Sequence, residues 1–188
     1  MATVRDGNQQ VLLVVDVQVG VMEGAWDAPR VVANVARAVE RARARGVPVL
    51  WVQHEDEELV RGTPAWQWMP ELAPADGERV IHKRFNSSFE DTPLEDELAK
   101  RGATHVLLAG AASNWCIRAT AYGALDRGYD LTLLKDAHTT GPIEFQDGRV
   151  IAAEDIVREL NAVMPWVSYP GRASAAVAVD ELDLGDGG

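Results

Sequence analysis

Cys116 is the only cysteine of the 188-residue chain, and it follows an apolar run at 104–109 and a Gly-Ala-Ala-Ser-Asn turn. The start of a predicted helix presents unpaired N–H groups and a partial positive charge, which lower a thiol pKa and can hold a developing oxyanion. This position predicts a thiolate nucleophile. The alternatives are a small buried apolar residue, which is the commoner role of a lone cysteine, or a redox sensor without a second cysteine to resolve it.

Two charged residues end predicted strands and are candidate partners of the thiol. Asp16 interrupts the apolar run VLLVVDV at 11–17, and a buried carboxylate needs a partner or loses its charge. Lys83 ends a short strand candidate at 80–83, although His82 and Arg84 fit the same spacing. From the residues alone, a structural ion pair between Asp16 and Lys83 is as compatible with the pattern as a catalytic role.

The elements that must position these residues alternate along the chain. Strands are predicted at 11–17, 47–53, 80–83, 104–109 and 129–135, and helices at 29–45, 93–100, 114–127 and 152–162. This order predicts an α/β fold of three layers, Rossmann-like, with a mostly parallel sheet flanked by helices on both faces. Asp16, Lys83 and Cys116 then all lie beyond the carboxyl ends of strands, where open parallel sheets form their sites.

The length of the chain predicts one domain over residues 1–188. Residues 171–188, acidic and glycine-rich at the end, are expected to form a loosely packed or mobile tail. Residues 54–78 carry three prolines and two tryptophans and predict a long surface loop, which would serve as a lid, a binding element or a subunit interface.

Charge and composition limit the partners. A net charge of −11 argues against nucleic acid and anionic membrane surfaces, and no apolar run approaches a membrane span or a signal peptide, so a cytoplasmic protein acting on a small molecule is expected. The four histidines show no metal-ligand spacing, and no glycine-rich phosphate loop follows the first strand. We therefore predict neither a metal nor a cofactor.

Three segments together resemble the isochorismatase-like cysteine hydrolase superfamily. They are VVDVQ at 14–18, HKRFNSSFEDTPLEDEL at 82–98 and LLAGAASNWCIRATAYGALDRGYDLTLLKDAHTT at 107–140. The resemblance implies a catalytic triad of Asp16, Lys83 and Cys116, and an oxyanion hole formed by the N–H groups of Ala112 and Cys116. It also implies a cis peptide bond between Ala111 and Ala112, and a homo-oligomer, either a dimer or a tetramer.

Departures from the family pattern narrow the expected chemistry. Nicotinamidases carry an Asp-x-His metal set near the second strand, where this chain has Gln53-His54-Glu55-Asp56, and true isochorismatases lack the nucleophilic cysteine. The resemblance therefore implies a hydrolase of a C–N bond, amide or lactam, that forms a thioester acyl-enzyme. The alternatives are another small amide, carbamoyl or nicotinamide-like, and a catalytically silent binding subunit.

Aromatic and acidic residues give the only indication of substrate. Trp26, His54, Trp66 and Trp115 are the candidate substrate contacts, although core or interface packing explains the tryptophans equally well. Acidic residues around the first strand and the long loop favour a cationic amide such as streptothricin, a substrate known in the family, over a neutral one. A solvated acidic surface is the competing interpretation.

Overall fold

The structure, a computed structural model, describes residues 2–185, which form a sheet covered on both faces by helices. The strands are β1 Gln9–Val15, β2 Val49–His54, β3 Arg79–Lys83, β4 Ala103–Ala111, β5 Asp130–Thr139, β6 Ile143–Glu144, β7 Val150–Ile151 and β8 Ser174–Val177. The α-helices are α1 Val19–Met22, α2 Ala28–Ala44, α3 Leu94–Lys100, α4 Arg118–Asp126 and α5 Ala153–Val163. A π-helical turn covers Ser113–Ile117, and short 3₁₀ turns cover Met164–Trp166 and Val179–Glu181.

The main sheet has six parallel strands in the order β3-β2-β1-β4-β5-β8, and β6 and β7 form a separate antiparallel pair. Strand order reverses its direction between β1 and β4, because β2 and β3 follow on one side and β5 and β8 on the other. The crevice beyond the carboxyl ends of strands at such a reversal is the usual binding position in open parallel sheets.

Both faces of the sheet are buried, which explains why its strands read as continuous apolar runs. Residues 11–15 of β1 are all inaccessible to solvent. One apolar cluster packs α2 against the sheet, and a second packs α3, α4 and α5 against the opposite face. The predicted three-layer α/β fold with a parallel sheet is therefore confirmed.

The end of the described chain differs from the expected loose tail. Residues 174–177 pair with β5 as the edge strand β8, and Val179, Leu182 and Leu184 are buried against the α2 face. A four-residue strand of small side chains followed by widely spaced apolar residues has no period that a sequence pattern can register, so β8 was not predicted. Residues 186–188 of the predicted tail lie outside the described part of the chain.

The segment between β2 and β3 is an extended loop, as the prolines predict, but it is anchored at several points. Leu59 and Leu72 are buried, and the ring of Trp68 meets that of the core residue Trp51 edge-on with centroids 5.2 Å apart. The buried side chain of Gln18 donates to the carbonyl groups of His54 and Trp66, at 3.0 and 2.9 Å.

Across residues 2–185, no helix combines the length and the apolar character that a membrane crossing requires.

Candidate active site

Asp16 is the first residue after β1, and its side chain turns into the interior at the carboxyl edge of the sheet. Its backbone has a positive φ of 53°, and its N–H donates to the Val52 carbonyl at 2.9 Å. The left-handed conformation is uncommon for a residue other than glycine, with asparagine and aspartate the usual exceptions. The residue is 1% exposed, so its carboxylate has left water almost completely.

Lys83 is the last residue of β3 and is 2% exposed. Its Nζ lies 2.7 Å from Asp16 Oδ2 and 3.2 Å from Cys116 Sγ. The same atom lies 3.1 Å from His54 Nδ1 and 3.1 Å from the Phe85 carbonyl oxygen. An ammonium has three N–H bonds for these four neighbours, so at least one is shared. Lys83 therefore joins the carboxylate to the thiol.

Cys116 lies in the π-helical turn between β4 and α4, and this turn approaches β1 closely. Gly110, near the end of β4, has a φ of 127°, and a Cβ there would fall 1.9 Å from the Val15 carbonyl oxygen. Only glycine permits this approach beside Asp16. The Ala111–Ala112 peptide bond is cis, as the resemblance implies, and the Ala112 carbonyl accepts the N–H groups of Trp115 and Ile117, which flank Cys116.

Small residues on α4 let the segment that follows Lys83 pack against the helix that follows Cys116. Thr120 Oγ1 accepts the Ser88 N–H at 3.0 Å and lies 2.8 Å from Ser88 Oγ. A Cβ at Gly123 would sit 3.1 Å from atoms of both Phe89 and Ser87, so a larger residue would push this segment away. These contacts fix the lysine and cysteine loops relative to each other.

The pKa of the Cys116 thiol is raised, whereas the sequence analysis expected it to be lowered. Burial and the Asp16 carboxylate raise the pKa of Cys116 to about 12, against the opposing effect of Lys83. Burial raises the pKa of Asp16 despite the attraction of Lys83. For Lys83, burial opposes the charged form, but the attraction of Asp16 and Cys116 and the hydrogen bonds to both together outweigh it, and the pKa is raised. The expectation is corrected because desolvation and a like charge exceed the effect of a helix start.

His54 is brought into this cluster, although as a neighbour of the lysine. Because the Lys83 ammonium can only donate, His54 Nδ1 accepts, and the ring hydrogen lies on Nε2, which is 2.9 Å from Asp56 Oδ2. Asp56 also accepts the N–H of Leu59 at 2.7 Å, and this bond is the main cause of its lowered pKa. His54 thus connects Lys83 to the start of the long loop, which no sequence spacing indicated.

The three tryptophans predicted to contact substrate lie in different surroundings. Trp115 is 57% exposed beside Cys116. The ring of Trp66 stacks on His82 with centroids 5.8 Å apart, and the Arg30 guanidinium lies 5.5 Å from the Trp26 ring. Among residues 2–185, neither Trp26 nor Trp66 has a direct hydrogen bond or ring contact with the cluster, although Gln18 links the Trp66 carbonyl to that of His54. Substrate contact remains a prediction for all three.

Two cavities share Glu55 and Arg84 in their lining, and the smaller one reaches Lys83. One of about 270 Å³ is lined by Glu55, His82, Lys83, Arg84, Phe85 and Asp91. The other, about 590 Å³, is lined by Glu55, Asp56, Glu57, Val60, Arg61 and Arg84. Three acidic and two basic side chains therefore face the larger cavity. Among the described residues, no group of three or more His, Cys, Asp or Glu side chains is arranged to hold a metal ion, and the absence of a required metal remains a prediction.

Sequence reasoning missed a largely buried polar chain beneath the π-helical turn that carries Cys116. Ser113 Oγ lies 2.7 Å from His138 Nδ1, and His138 Nε2 lies 2.8 Å from Asn161 Oδ1. No clear signal in the sequence indicated it, because His138 lies three residues beyond the predicted strand at 129–135, in the polar stretch KDAHTT at 135–140. The partners of His138 come from a different strand end and a different helix, so spacing could not identify them.

Comparison with known proteins identifies the family. Residues 10–162 match the model of the isochorismatase domain. A streptothricin hydrolase from Streptomyces noursei is 38% identical over 146 residues, which cover 74% of this chain and 58% of that protein. Ureidoacrylate amidohydrolase RutB from Methylorubrum extorquens is 29% identical over 184 residues, covering 80% of this chain and 71% of that protein.

Solved structures agree with the sequence comparison. An isochorismatase from Pseudomonas putida KT2440 superposes with a TM-score of 0.83 at 30% identity, over 94% of this chain and 93% of that one. The chain spans less than two thirds of the streptothricin hydrolases it matches, 58% of one and 61% of another. With the domain match covering most of its length, the chain belongs to the isochorismatase family.

Proposed function

We propose that the protein hydrolyses the C–N bond of a small amide or lactam, with Cys116 as nucleophile, Asp16 as general base and acid, and Lys83 as the cation that stabilises both. The observation that carries the proposal is the position of Lys83 Nζ, 2.7 Å from Asp16 Oδ2 and 3.2 Å from Cys116 Sγ. The relatives named streptothricin hydrolase and ureidoacrylate amidohydrolase support C–N hydrolysis.

The two pKa shifts support the assignment of acid and base. A thiol whose pKa is about 12 is protonated at neutral pH, so it needs a neighbouring base to become a nucleophile. A carboxylate whose pKa is raised binds that proton more strongly than an ordinary aspartate does. The proton therefore moves from Cys116 to Asp16 as the sulfur attacks, and Lys83 offsets the charge on whichever partner is anionic.

The reaction then follows the steps of acyl transfer. Sγ of Cys116 bonds to the carbonyl carbon, and the backbone N–H groups of Ala112 and Cys116 hold the oxyanion. Asp16 donates its proton to the leaving nitrogen as the C–N bond breaks, which leaves a thioester. Asp16 next takes a proton from water, the hydroxide displaces the sulfur, and the proton returns to Cys116. The sum is amide plus water to carboxylic acid plus amine.

A cationic lactam of the streptothricin type is the first candidate substrate. Glu55, Asp56 and Glu57 face the cavity of about 590 Å³, which shares Glu55 and Arg84 with the cavity at Lys83, and their charges would attract a cation. The named activity of the relative that is 38% identical supports the same choice.

A ureido acid is the second candidate, because Arg61 and Arg84 line the same cavity and would pair with a carboxylate. Turnover of a cationic lactam and an anionic ureido acid, compared across salt concentrations, separates the two candidates. A cation preference that weakens with salt supports the first, and an anion preference supports the second.

The mechanism is tested with Cys116→Ala and Cys116→Ser, assayed for hydrolysis of both amides. We expect turnover to fall on the order of 10⁴-fold or more in each variant, since removing a nucleophile leaves only binding and oxyanion effects. Mass spectrometry of the wild-type protein, quenched during turnover, should detect an acyl adduct on the peptide that contains Cys116. Full activity of both variants would exclude covalent catalysis by this residue.

A further inference from the structure

The polar chain of Ser113, His138 and Asn161 beneath the π-helical turn is enclosed at its first two members, and its side chains are hydrogen-bonded to one another. Ser113 and His138 are 0% and 1% exposed. At the far end, Asn161 Nδ2 of α5 donates to the Lys135 carbonyl of β5 at 2.8 Å. The chain thus runs from the turn through the end of β5 to α5. The chemistry described above uses none of these side chains.

The directions of the hydrogen bonds fix where the hydrogens lie along the polar chain of Ser113, His138 and Asn161. Because Asn161 uses its amide N–H for the Lys135 carbonyl, its Oδ1 is the acceptor that faces His138, and His138 Nε2 must carry the hydrogen. Nδ1 of His138 is then an acceptor, and the Ser113 hydroxyl donates to it. Burial lowers the pKa of His138 to about 4, so the ring is neutral at neutral pH, as this arrangement requires.

The polar chain is attached to the turn at Ser113, which is the first residue of the π-helical turn that carries Cys116. The next residue, Asn114, is held as well, since Thr140 Oγ1 donates to Asn114 Oδ1 at 2.6 Å. Two successive residues of the turn are therefore tied to residues 138–140 at the end of β5. The two ties fix the turn while leaving its Cys116 end facing Lys83.

We propose that His138 is a positioning residue, which accepts the Ser113 hydroxyl and thereby holds the turn so that Cys116 Sγ faces Lys83 and Asp16. This inference rests on the proposed nucleophilic role of Cys116. Loss of the Ser113 tie lets the turn relax, and Sγ moves away from the carboxylate and the ammonium. A positional error of about 1 Å at a reacting group can lower a rate by about 100-fold.

The protein offers a matched control, a second hydroxyl–histidine pair that lies on β4 and β5. His105 Nε2 of β4 lies 2.8 Å from Thr132 Oγ1 of β5, near the opposite end of the sheet from His138. Thr132→Val removes the hydroxyl that is hydrogen-bonded to His105. Ser113→Ala likewise removes the hydroxyl that is hydrogen-bonded to His138. Asn161→Asp is the second test variant. It keeps the side-chain shape but favours a doubly protonated His138, whose Nδ1 can no longer accept the Ser113 hydroxyl.

The experiment measures kcat, KM, melting temperature and the rate of Cys116 alkylation by iodoacetamide at pH 8 in full-length protein. For Ser113→Ala and Asn161→Asp we expect kcat to fall roughly 10- to 100-fold with KM within about twofold. We also expect faster alkylation, since a displaced thiol escapes the carboxylate that raises its pKa. Thr132→Val should leave kcat and alkylation unchanged, with a comparable loss of melting temperature.

Two outcomes would overturn the proposal. If kcat and the alkylation rate are unchanged in both test variants and only the melting temperature falls, the polar chain contributes to stability alone. Losses that Thr132→Val reproduces would mean that any hydroxyl–histidine bond in the sheet has the same effect. If Cys116→Ala retained activity, the proposed function would fail, but alkylation would still report whether His138 positions the thiol.

Discussion

Strand β3 has an ion pair at each end, and the two pairs are built in opposite ways. Glu78, just before the strand, accepts from Arg43 Nε at 2.8 Å and Arg43 Nη2 at 2.9 Å. It also accepts from Trp51 Nε1 at 2.6 Å and the Ala75 N–H at 2.9 Å. At the other end, Asp16 Oδ2 meets Lys83, and Asp16 Oδ1 has no hydrogen-bond partner within residues 2–185.

The two carboxyl groups differ both in depth of burial and in the number of donors that they accept, and their pKa values shift in opposite directions. Burial acts to raise the pKa of Glu78, but the bonds from Arg43, Ala75 and Trp51 outweigh it and lower the value to about 2. For Asp16 burial prevails and the pKa is raised. A saturated carboxylate cannot usefully take a proton, whereas an unsaturated one can. The first arrangement stabilises the fold, and the second is suited to proton transfer.

The largest difference between the pairs should appear in turnover. Asp16→Asn removes the proposed base while keeping its shape, and we expect kcat to fall about 10³- to 10⁴-fold. Glu78→Gln, the matched change at the other end of β3, should leave kcat within about twofold. Steady-state assays of both variants test this, and equal losses in the two would mean that neither pair is specialised.

A second difference should appear in the free energy of unfolding. Lys83→Met leaves a buried carboxylate without its cation and should cost about 3 kcal/mol or more. Adding Asp16→Asn, which removes the charge and tolerates the left-handed backbone at this position, should restore part of that stability without restoring activity. The double change Arg43→Met, Glu78→Leu should show no such recovery, because the N–H groups of Trp51 and Ala75 would lose their acceptor. Urea denaturation of Lys83→Met, of Arg43→Met and of the two double variants makes the comparison.

A third, smaller effect concerns acid stability. Because the folded-state pKa of Glu78 is lowered to about 2, its stabilisation is complete above the ordinary value of 4.5 and is lost as the pH falls toward 2. After allowance for solvent screening of the half-exposed Arg43, we expect Glu78→Gln to cost about 1–2 kcal/mol at pH 7 and less at pH 3. A cost that does not depend on pH would contradict this origin.

The smallest predicted effect separates thiol reactivity from catalysis. The Asp16 carboxylate contributes to raising the pKa of Cys116, so Asp16→Asn should lower that pKa and speed alkylation at pH 7 about tenfold while turnover is lost. Iodoacetamide labelling followed by mass spectrometry measures the rate, with Glu78→Gln as control. Slower labelling in Asp16→Asn would mean that the carboxylate acts chiefly as the base for the reagent.

Prediction from sequence succeeded where a property is local. Runs buried on both faces located the strands of the main sheet except β8, and Asp16 stood out because it interrupts one of them. Lys83 was different, because the spacing fitted His82 and Arg84 equally well. Only the family resemblance identified Lys83 as the candidate partner of the thiol. The structure turns the Lys83 side chain into the interior, where it meets Asp16.

Properties that depend on distant neighbours were not predictable. The direction of the Cys116 pKa shift follows from burial and from a carboxylate 100 positions away in the chain. The partners of His138 come from a turn and a helix whose approach no periodicity encodes. The same reason applies to His54, whose contact with Lys83 requires β2 and β3 to lie side by side.

The edge strand β8 affects how the protein can be shortened. It occupies the hydrogen-bonding edge of residues 131–134 in β5, and the buried Val179 and Leu182 follow it. A truncation before Ser174 would leave β5 as an open edge with unpaired N–H and C=O groups, which recruit strands from other molecules. Aggregation, rather than a gain in homogeneity, is therefore the expected result of trimming this segment.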